Sequence, residues 1–216
     1  TQLDQLSDLR LVIESVRRIF DLGHNPHHIE QKSSKQLDLH KVRIPGSFDP
    51  FESAVGVILG QLVTTEQGQR NMAKLVERHG TPVKGPLPLL THLFPSAEVL
   101  SQADLSGLGF TRARGESIKA MASLVVSGEL DLSQTTDIVE TRKKLLAIKG
   151  IGPWTVEMIA LRCLNDTDAF PATDLIILRA VEKFKLRPEL LGPWRAYLSL
   201  AIWKSQAHLL TRKKIK

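Results

Sequence analysis

The 216 residues carry 29 Lys and Arg against 23 Asp and Glu, a net charge of +6, and 42% of them are hydrophobic. That is enough chain for one large domain or two small ones with a real core, and the basic balance favours a polyanionic partner. A single cysteine, Cys163, excludes an internal disulfide, a cysteine-ligated iron–sulfur cluster and a multi-cysteine zinc site.

No apolar run is long enough to span a bilayer as a helix, and no amphipathic basic anchor or signal peptide is legible. The expectation is therefore an intracellular protein in a reducing compartment with no membrane contact. The absent initiator Met is read as processing or trimming.

Residues 6–22 read as an amphipathic helix, with Leu9, Val12, Ile13, Val16 and Ile19 at helical spacing, ended by Gly23-His24-Asn25-Pro26. His24, His27 and His28 read as a solvated loop rather than a metal site. Residues 31–42 are expected to hold a second short helix, and residues 43–48 a connector.

Asp49-Pro50-Phe51-Glu52 is a strong helix start: an acidic N-cap, Pro at the first position and Glu at the third. Phe51, Ala54, Val55, Ile58, Leu59 and Leu62 continue it as an apolar stripe. Thr64 with Gln67 offers another capping box, followed by Met72, Leu75 and Val76 on a buried face. Residues 80–95, rich in Pro and Gly, read as a surface excursion, and 96–103 as a short helix. A glycine-bearing turn at 105–110 leads into a helix over 111–127, whose Arg112, Arg114 and Lys119 read as a solvated basic face.

Asp137 with Glu140 caps a helix over 137–148. Lys149-Gly150-Ile151-Gly152 then makes a tight turn, and Pro153 restarts a helix that carries Trp154, Met158, Ile159 and Leu161 to about Leu164. Helix, Gly-apolar-Gly turn, helix is a helix-hairpin-helix, whose outward N–H groups at a helix start suit a phosphate. The bland alternative is an ordinary glycine-bearing connection between core helices. Asp174 opens a helix over 175–184. By local sequence it is a preferred N-cap, worth about 1 kcal/mol; beside a DNA-binding hairpin, a carboxylate could also stabilise a cationic sugar, as in glycoside hydrolysis. Trp154 and Trp203 are either stacking surfaces for an extruded base or core residues. A last helix covers 193–208, and residues 212–216 form a basic tail. No sustained period-two run suits a strand, so the chain reads as all-α.

Four blocks carry a family resemblance. Lys149-Gly150-Ile151-Gly152-Pro153-Trp154-Thr155 resembles the hairpin of the helix-hairpin-helix DNA glycosylase superfamily, and Phe170-Pro171-Ala172-Thr173-Asp174 its catalytic-aspartate segment. Ile58-Leu59-Gly60-Gln61-Leu62-Val63 and Pro193-Trp194-Arg195-Ala196-Tyr197-Leu198, with Ile202-Trp203 after it, agree. Spread in order over residues 43–204, they are similar to the bacterial 3-methyladenine DNA glycosylase II branch of alkylation-repair enzymes.

That resemblance implies a two-lobed all-α fold with the active site in the cleft between lobes. Residues 1–49 would pack with the C-terminal lobe, 50–166 would form the central lobe with the hairpin, and 167–216 would complete the second lobe. Asp174 would be the catalytic carboxylate, Leu62 the apolar wedge with Gln61 beside it, and Trp154, Met158 and Trp203 the base pocket. Lys149, Gly150, Ile151, Gly152 and Thr155 would hold the DNA backbone, and the carbonyls of Leu146, Ile148 and Ile151 a monovalent cation, sodium or potassium. No other cofactor and no iron–sulfur cluster is expected.

Related bifunctional lyases carry a Lys where this chain has Trp154, which points to a monofunctional hydrolase acting on alkylated purines in duplex DNA in base excision repair. The expected product is an abasic site, and the expected protein a monomer in the bacterial cytoplasm or nucleoid. The related enzymes have a pocket Tyr where Met158 stands, and an N-terminal β-rich domain near whose end this chain begins, or which it lacks. Two other readings stay open: a non-catalytic helix-hairpin-helix DNA-binding module, and a glycosylase for deaminated or exocyclic-adduct bases.

Overall fold

The computed structural model describes residues 8–25, 39, 42–84, 90–133 and 137–213, with the backbone alone from 206 onward. The predicted helix over 31–42 falls mostly outside the described residues, as do His27, His28 and the end of the basic tail. The chain divides into two compact units, Asp49–Ile159 and a split unit made of Thr1–Phe48 with Ala160–Lys216. Residues 160–166, read from sequence with the central segment, count with the split unit.

The central unit is built from helices whose starts are written in the local sequence. Helix α2 (Pro50–Leu59) begins at Asp49, whose carboxylate accepts the N–H groups of Phe51 and Glu52 at 2.8 and 3.1 Å. Helix α3 (Thr65–His79) begins at Thr64, α4 (Ala97–Gln102) at Ser96, α5 (Arg112–Val126) at Thr111 and α6 (Ile138–Ala147) at Asp137. Each cap satisfies N–H groups that the first turn leaves without a helical partner. Helix α7 (Pro153–Cys163) starts on its proline and runs out of this unit after Ile159.

The strand expectation needs one correction. The excursion after α3 forms a minimal antiparallel pair, Thr81–Pro82 with His92–Leu93, too short to leave a period-two signal. Helices α4 and α5 pack together, and α2 packs on α3 and on α5. Val55, Ile58, Leu59, Leu75, Leu100, Ile118, Met121 and Leu145 fill the core between them.

The split unit brings distant segments of chain together. It contains α1 (Asp8–Ile19), the last turn of α7, α8 (Leu175–Phe184), a 3-10 turn at Pro188–Leu191 and α9 (Arg195–Lys213). The N–H of Gly46 donates to Ile19 O at 3.0 Å, and Asn165 Nδ2 donates to Arg18 O at 3.2 Å. A Cβ on Gly46 would lie 2.9 Å from that same Arg18 oxygen, so glycine permits the approach. Tyr197, fully buried, donates its hydroxyl to Asp21 Oδ2 at 2.7 Å, and the N–H of Ile44 reaches the same oxygen at 3.1 Å.

Helix α1 departs from expectation. Leu9, Ile13 and Val16, read as part of its apolar face, are exposed, and Ile19 is buried. Periodicity reports that a helix has an apolar face; it does not supply the surface that covers it. The last helix also runs further than expected, to Lys213, and so includes the start of the basic tail.

Candidate nucleic-acid interface and active site

The hairpin forms as the sequence indicates. The N–H of Ile148 ends α6 on Leu145 O, and Ile151 N donates to Ile148 O at 3.0 Å, closing the turn before α7 begins. Gly150 holds φ at +90°, a conformation that glycine adopts at no steric cost. A Cβ there would collide with the Ser117 hydroxyl, whereas one on Gly152 would meet nothing within 4 Å. Gly152 therefore has open space in front of it, where a bulky group can come close to bare backbone. Arg142 and Glu157 brace the two arms with paired bonds of 3.0 and 3.2 Å.

Of the residues expected at the DNA backbone, Lys149 and Gly150 are exposed and Gly152 is half-buried. Ile151 and Thr155 are buried, so Ile151 offers backbone alone and the Thr155 side chain lies behind the turn. There its hydroxyl accepts from Gln61 Nε2 at 2.8 Å, and the same amide donates to Gly150 O at 3.0 Å. Gln61 thus ties the loop after α2 to the hairpin.

Leu62 follows Gln61 at φ +53°, the left-handed region that costs a leucine about 1–2 kcal/mol. Its side chain is wholly exposed, at 102%. Nothing in packing explains a strained leucine in open solvent; a job outside the protein would. Arg114, expected on a solvated basic face, is instead half-buried and donates through Nη2 to the carbonyl of Gln61 at 2.5 Å. Sequence reasoning missed this contact because its two ends lie 53 positions apart.

In the split unit, Asp174 performs the N-cap role expected of it and more. Its Oδ1 accepts the N–H groups of Ile176 and Ile177 at 2.9 and 3.2 Å, and the indole Nε1–H of Trp203 at 3.3 Å. The loop before it is also pinned. Arg195 grips Asp168 with two bonds of 2.8 and 2.6 Å, and the N–H of Ala196 donates to Thr167 O at 2.9 Å. The capping bonds and the indole hold the carboxylate in one orientation. Trp203 is half-buried, as are Trp154 and Met158, which lie one helical turn apart on α7.

His24 packs its ring against Trp194 and Tyr197, with centroids 4.4 and 4.8 Å apart. Among the described residues no group of three His, Cys, Asp or Glu side chains is placed to hold a metal ion, and no helix is long and apolar enough to cross a membrane.

A hairpin with an open glycine turn, a strained exposed leucine tied to it and a capped aspartate eleven residues beyond its second helix are set in a fold that is found among known proteins. No protein-family model matches the chain. A 3-methyladenine DNA glycosylase from Archaeoglobus fulgidus has the same fold, with a TM-score of 0.74 at 21% identity over 95% of this chain and 77% of that one. In fold, the chain is similar to known DNA glycosylases.

By sequence, it is 35% identical over 222 residues to a Mycobacterium tuberculosis protein named as a probable bifunctional transcriptional activator/DNA repair enzyme AlkA. That match takes in 95% of this chain and 45% of the relative, so the chain spans less than half of the relative's length. It is 28% identical to the DNA-3-methyladenine glycosylase 2 of Escherichia coli, over 90% of this chain and 71% of that protein. Its sequence likeness thus extends to bacterial proteins named as DNA-3-methyladenine glycosylases.

Proposed function

We propose that the protein is a monofunctional DNA glycosylase that hydrolyses the N-glycosidic bond of alkylated purines of the 3-methyladenine type in duplex DNA, leaving an abasic site. The observation that carries the reading is the Asp174 carboxylate, held by two helix N–H groups and the Trp203 indole. A purine methylated at a ring nitrogen is cationic, so its glycosidic bond is already weakened and departure needs no general acid. As the C–N bond breaks, its electrons leave with the base and the sugar becomes an oxocarbenium ion. Asp174 stabilises that cation, as carboxylates do in glycoside hydrolysis. Water then adds to the sugar carbon and gives its proton to the carboxylate or to solvent.

The other residues divide the work of presenting the nucleotide. Leu62, with Gln61 behind it, fills the gap left when the nucleotide swings out, offsetting part of the few kcal/mol that extrusion costs. Lys149 and the turn N–H groups of Gly150 and Gly152 grip a phosphate of the strand, while the Ile151 N–H is spent on closing the turn. Trp154, Met158 and Trp203 offer surfaces to the base, and cation–π contact with an indole is worth about 0.5–2 kcal/mol to a cationic one. Trp154 stands where a lyase would carry its amine, so water is the nucleophile.

We further propose that the carbonyls of Leu146, Ile148 and Ile151 hold a monovalent cation. Ile148 O keeps one lone pair beyond the bond it accepts from Ile151 N, which fits a weakly held sodium or potassium ion. Such an ion would add positive charge beside the gripped phosphate.

The test is release of free base from methylated duplex DNA by wild type and by Asp174→Asn. Asparagine caps a helix as well as aspartate does, so the fold survives and the loss isolates the charge. Release falling by about 10²-fold or more supports the reading. Equal release by both proteins removes Asp174 from the mechanism. Salt-sensitive duplex binding with no release by either would point to a binding module, and release of hypoxanthine in preference to 3-methyladenine to a different lesion.

A further inference from the structure

Arg114 and Ser117 lie one turn apart on α5, a helix that carries none of the residues expected at the site. Each donates to a backbone carbonyl in a different functional loop. Arg114 Nη2 reaches Gln61 O, immediately before Leu62, and Ser117 Oγ reaches Lys149 O at 2.7 Å, with Ala113 O also within 3.0 Å. Gln61 closes the figure from the other side through Gly150 O and Thr155 Oγ1. Two loops 89 positions apart in sequence are therefore fixed both to one helix and to each other.

Neither Leu62 nor Gly150 is held by packing of its own side chain. Leu62 projects into solvent from a left-handed backbone, and Gly150 has no side chain to pack. Hydrogen bonds to the neighbouring carbonyls fix these tips, beside the anchor that packing gives the hairpin turn, the buried Ile151 side chain. The Arg114 bond is made in partly desolvated surroundings, since its Nε is buried and meets no acceptor among the described residues; a bond from a charged donor is stronger in such a place than in water. A wedge and a phosphate grip cooperate only at a set separation, and a misplacement of about 1 Å can cost about 10²-fold in rate.

We propose that Arg114 and Ser117 are positioning residues that set the register between Leu62 and the hairpin turn, so that α5 decides how far from the gripped phosphate the duplex is opened. The proposal rests on the reading of the chain as a glycosylase that opens duplex DNA.

The experiment compares base release from a methylated duplex with release from the same methylated strand unpaired, and adds amide hydrogen exchange of residues 61–63 and 149–152 in the full chain. A single strand needs no wedge. Arg114→Met is expected to lower duplex release by about ten-fold, the scale of one charge-assisted hydrogen bond, while single-strand release is kept. Arg114→Lys should recover part of the loss. Ser117→Ala is expected to speed exchange at 149–152 and to weaken binding to undamaged duplex.

A ratio of duplex to single-strand release that stays at the wild-type value overturns the proposal. If wild type releases no base from either DNA, the glycosylase reading fails by itself, and exchange then decides. Faster exchange at 61–63 in Arg114→Met sustains the bracket, and unchanged exchange refutes it. Should Arg114→Met fail to fold, Arg114→Lys and Ser117→Ala carry the same comparison.

Discussion

Leu62 allows stability and activity to be separated in a single side chain. It is wholly exposed, so truncating it uncovers no buried surface, and Leu62→Ala should leave stability within about 0.5 kcal/mol of wild type. Leu62→Gly also relieves the left-handed backbone, worth about 1–2 kcal/mol, against roughly 0.5–1 kcal/mol of extra chain entropy lost on folding. The glycine variant should thus melt at or slightly above the wild-type temperature. Inserted between base pairs, the same leucine would bury its side chain for about 1.5–3 kcal/mol, so either variant should shift the extrusion equilibrium by roughly 10- to 150-fold. Single-turnover release of a methylated base from duplex DNA, read beside thermal denaturation, measures both effects. Wild-type release by Leu62→Ala would refute the wedge. A large fall in melting temperature would show that the side chain is packed after all.

Trp203→Phe removes the indole donor from Asp174 but leaves both capping bonds; at 3.3 Å the lost bond sits at the weak end of the charged range. Release should slow about ten-fold with little change in melting temperature, and an unchanged rate would detach the indole from the carboxylate's work. Tyr197 is held neutral by burial and then by its bond to Asp21, which push its ionisation well above the ordinary phenol range. The unfolded phenol loses its proton near pH ~10 while the folded one keeps it, so stability should fall as pH rises past that value. Tyr197→Phe should abolish that alkaline slope and cost about 1–2 kcal/mol at neutral pH, measured by denaturant titration. Exchanging potassium and sodium for tetramethylammonium at constant ionic strength should weaken binding to undamaged duplex several-fold, and unaltered affinity would leave the hairpin carbonyls without an ion.

What could be read from sequence was chemistry completed within a few residues. Asp49, Thr64, Ser96, Thr111, Asp137 and Asp174 each cap a helix through a side chain that reaches two or three positions ahead, so the helix starts were visible before any fold. The Gly150 turn was legible for the same reason. Arg114 was not, because its partner is a backbone carbonyl far away in the chain, and a carbonyl leaves no mark on composition. Nor was the φ of Leu62, since nothing in the side chain of leucine favours that conformation. The exposed face of α1 failed in the opposite direction: a clear pattern was present, and its meaning depended on surroundings the pattern does not encode.

The split unit also bears on how the chain is made. Its two stretches meet through Asn165 and Arg18, 147 positions apart, and through Tyr197 and Asp21, 176 apart, whereas every residue of Asp49–Ile159 lies in one uninterrupted run. A growing polypeptide emerges from its N-terminus, so the inner run is wholly synthesised while residues 8–48 still lack Asn165 and Tyr197, the partners of Arg18 and Asp21. Closing so long a loop is not itself prohibitive, since each doubling of length adds only about 0.6 kcal/mol. Folding the inner run first shortens the span still open, and the outer unit becomes the last to be sealed. A chain cut short within α8 would therefore keep the whole inner run, with its hairpin and the Leu62 turn, and leave the Asp174 loop without the Arg195 grip.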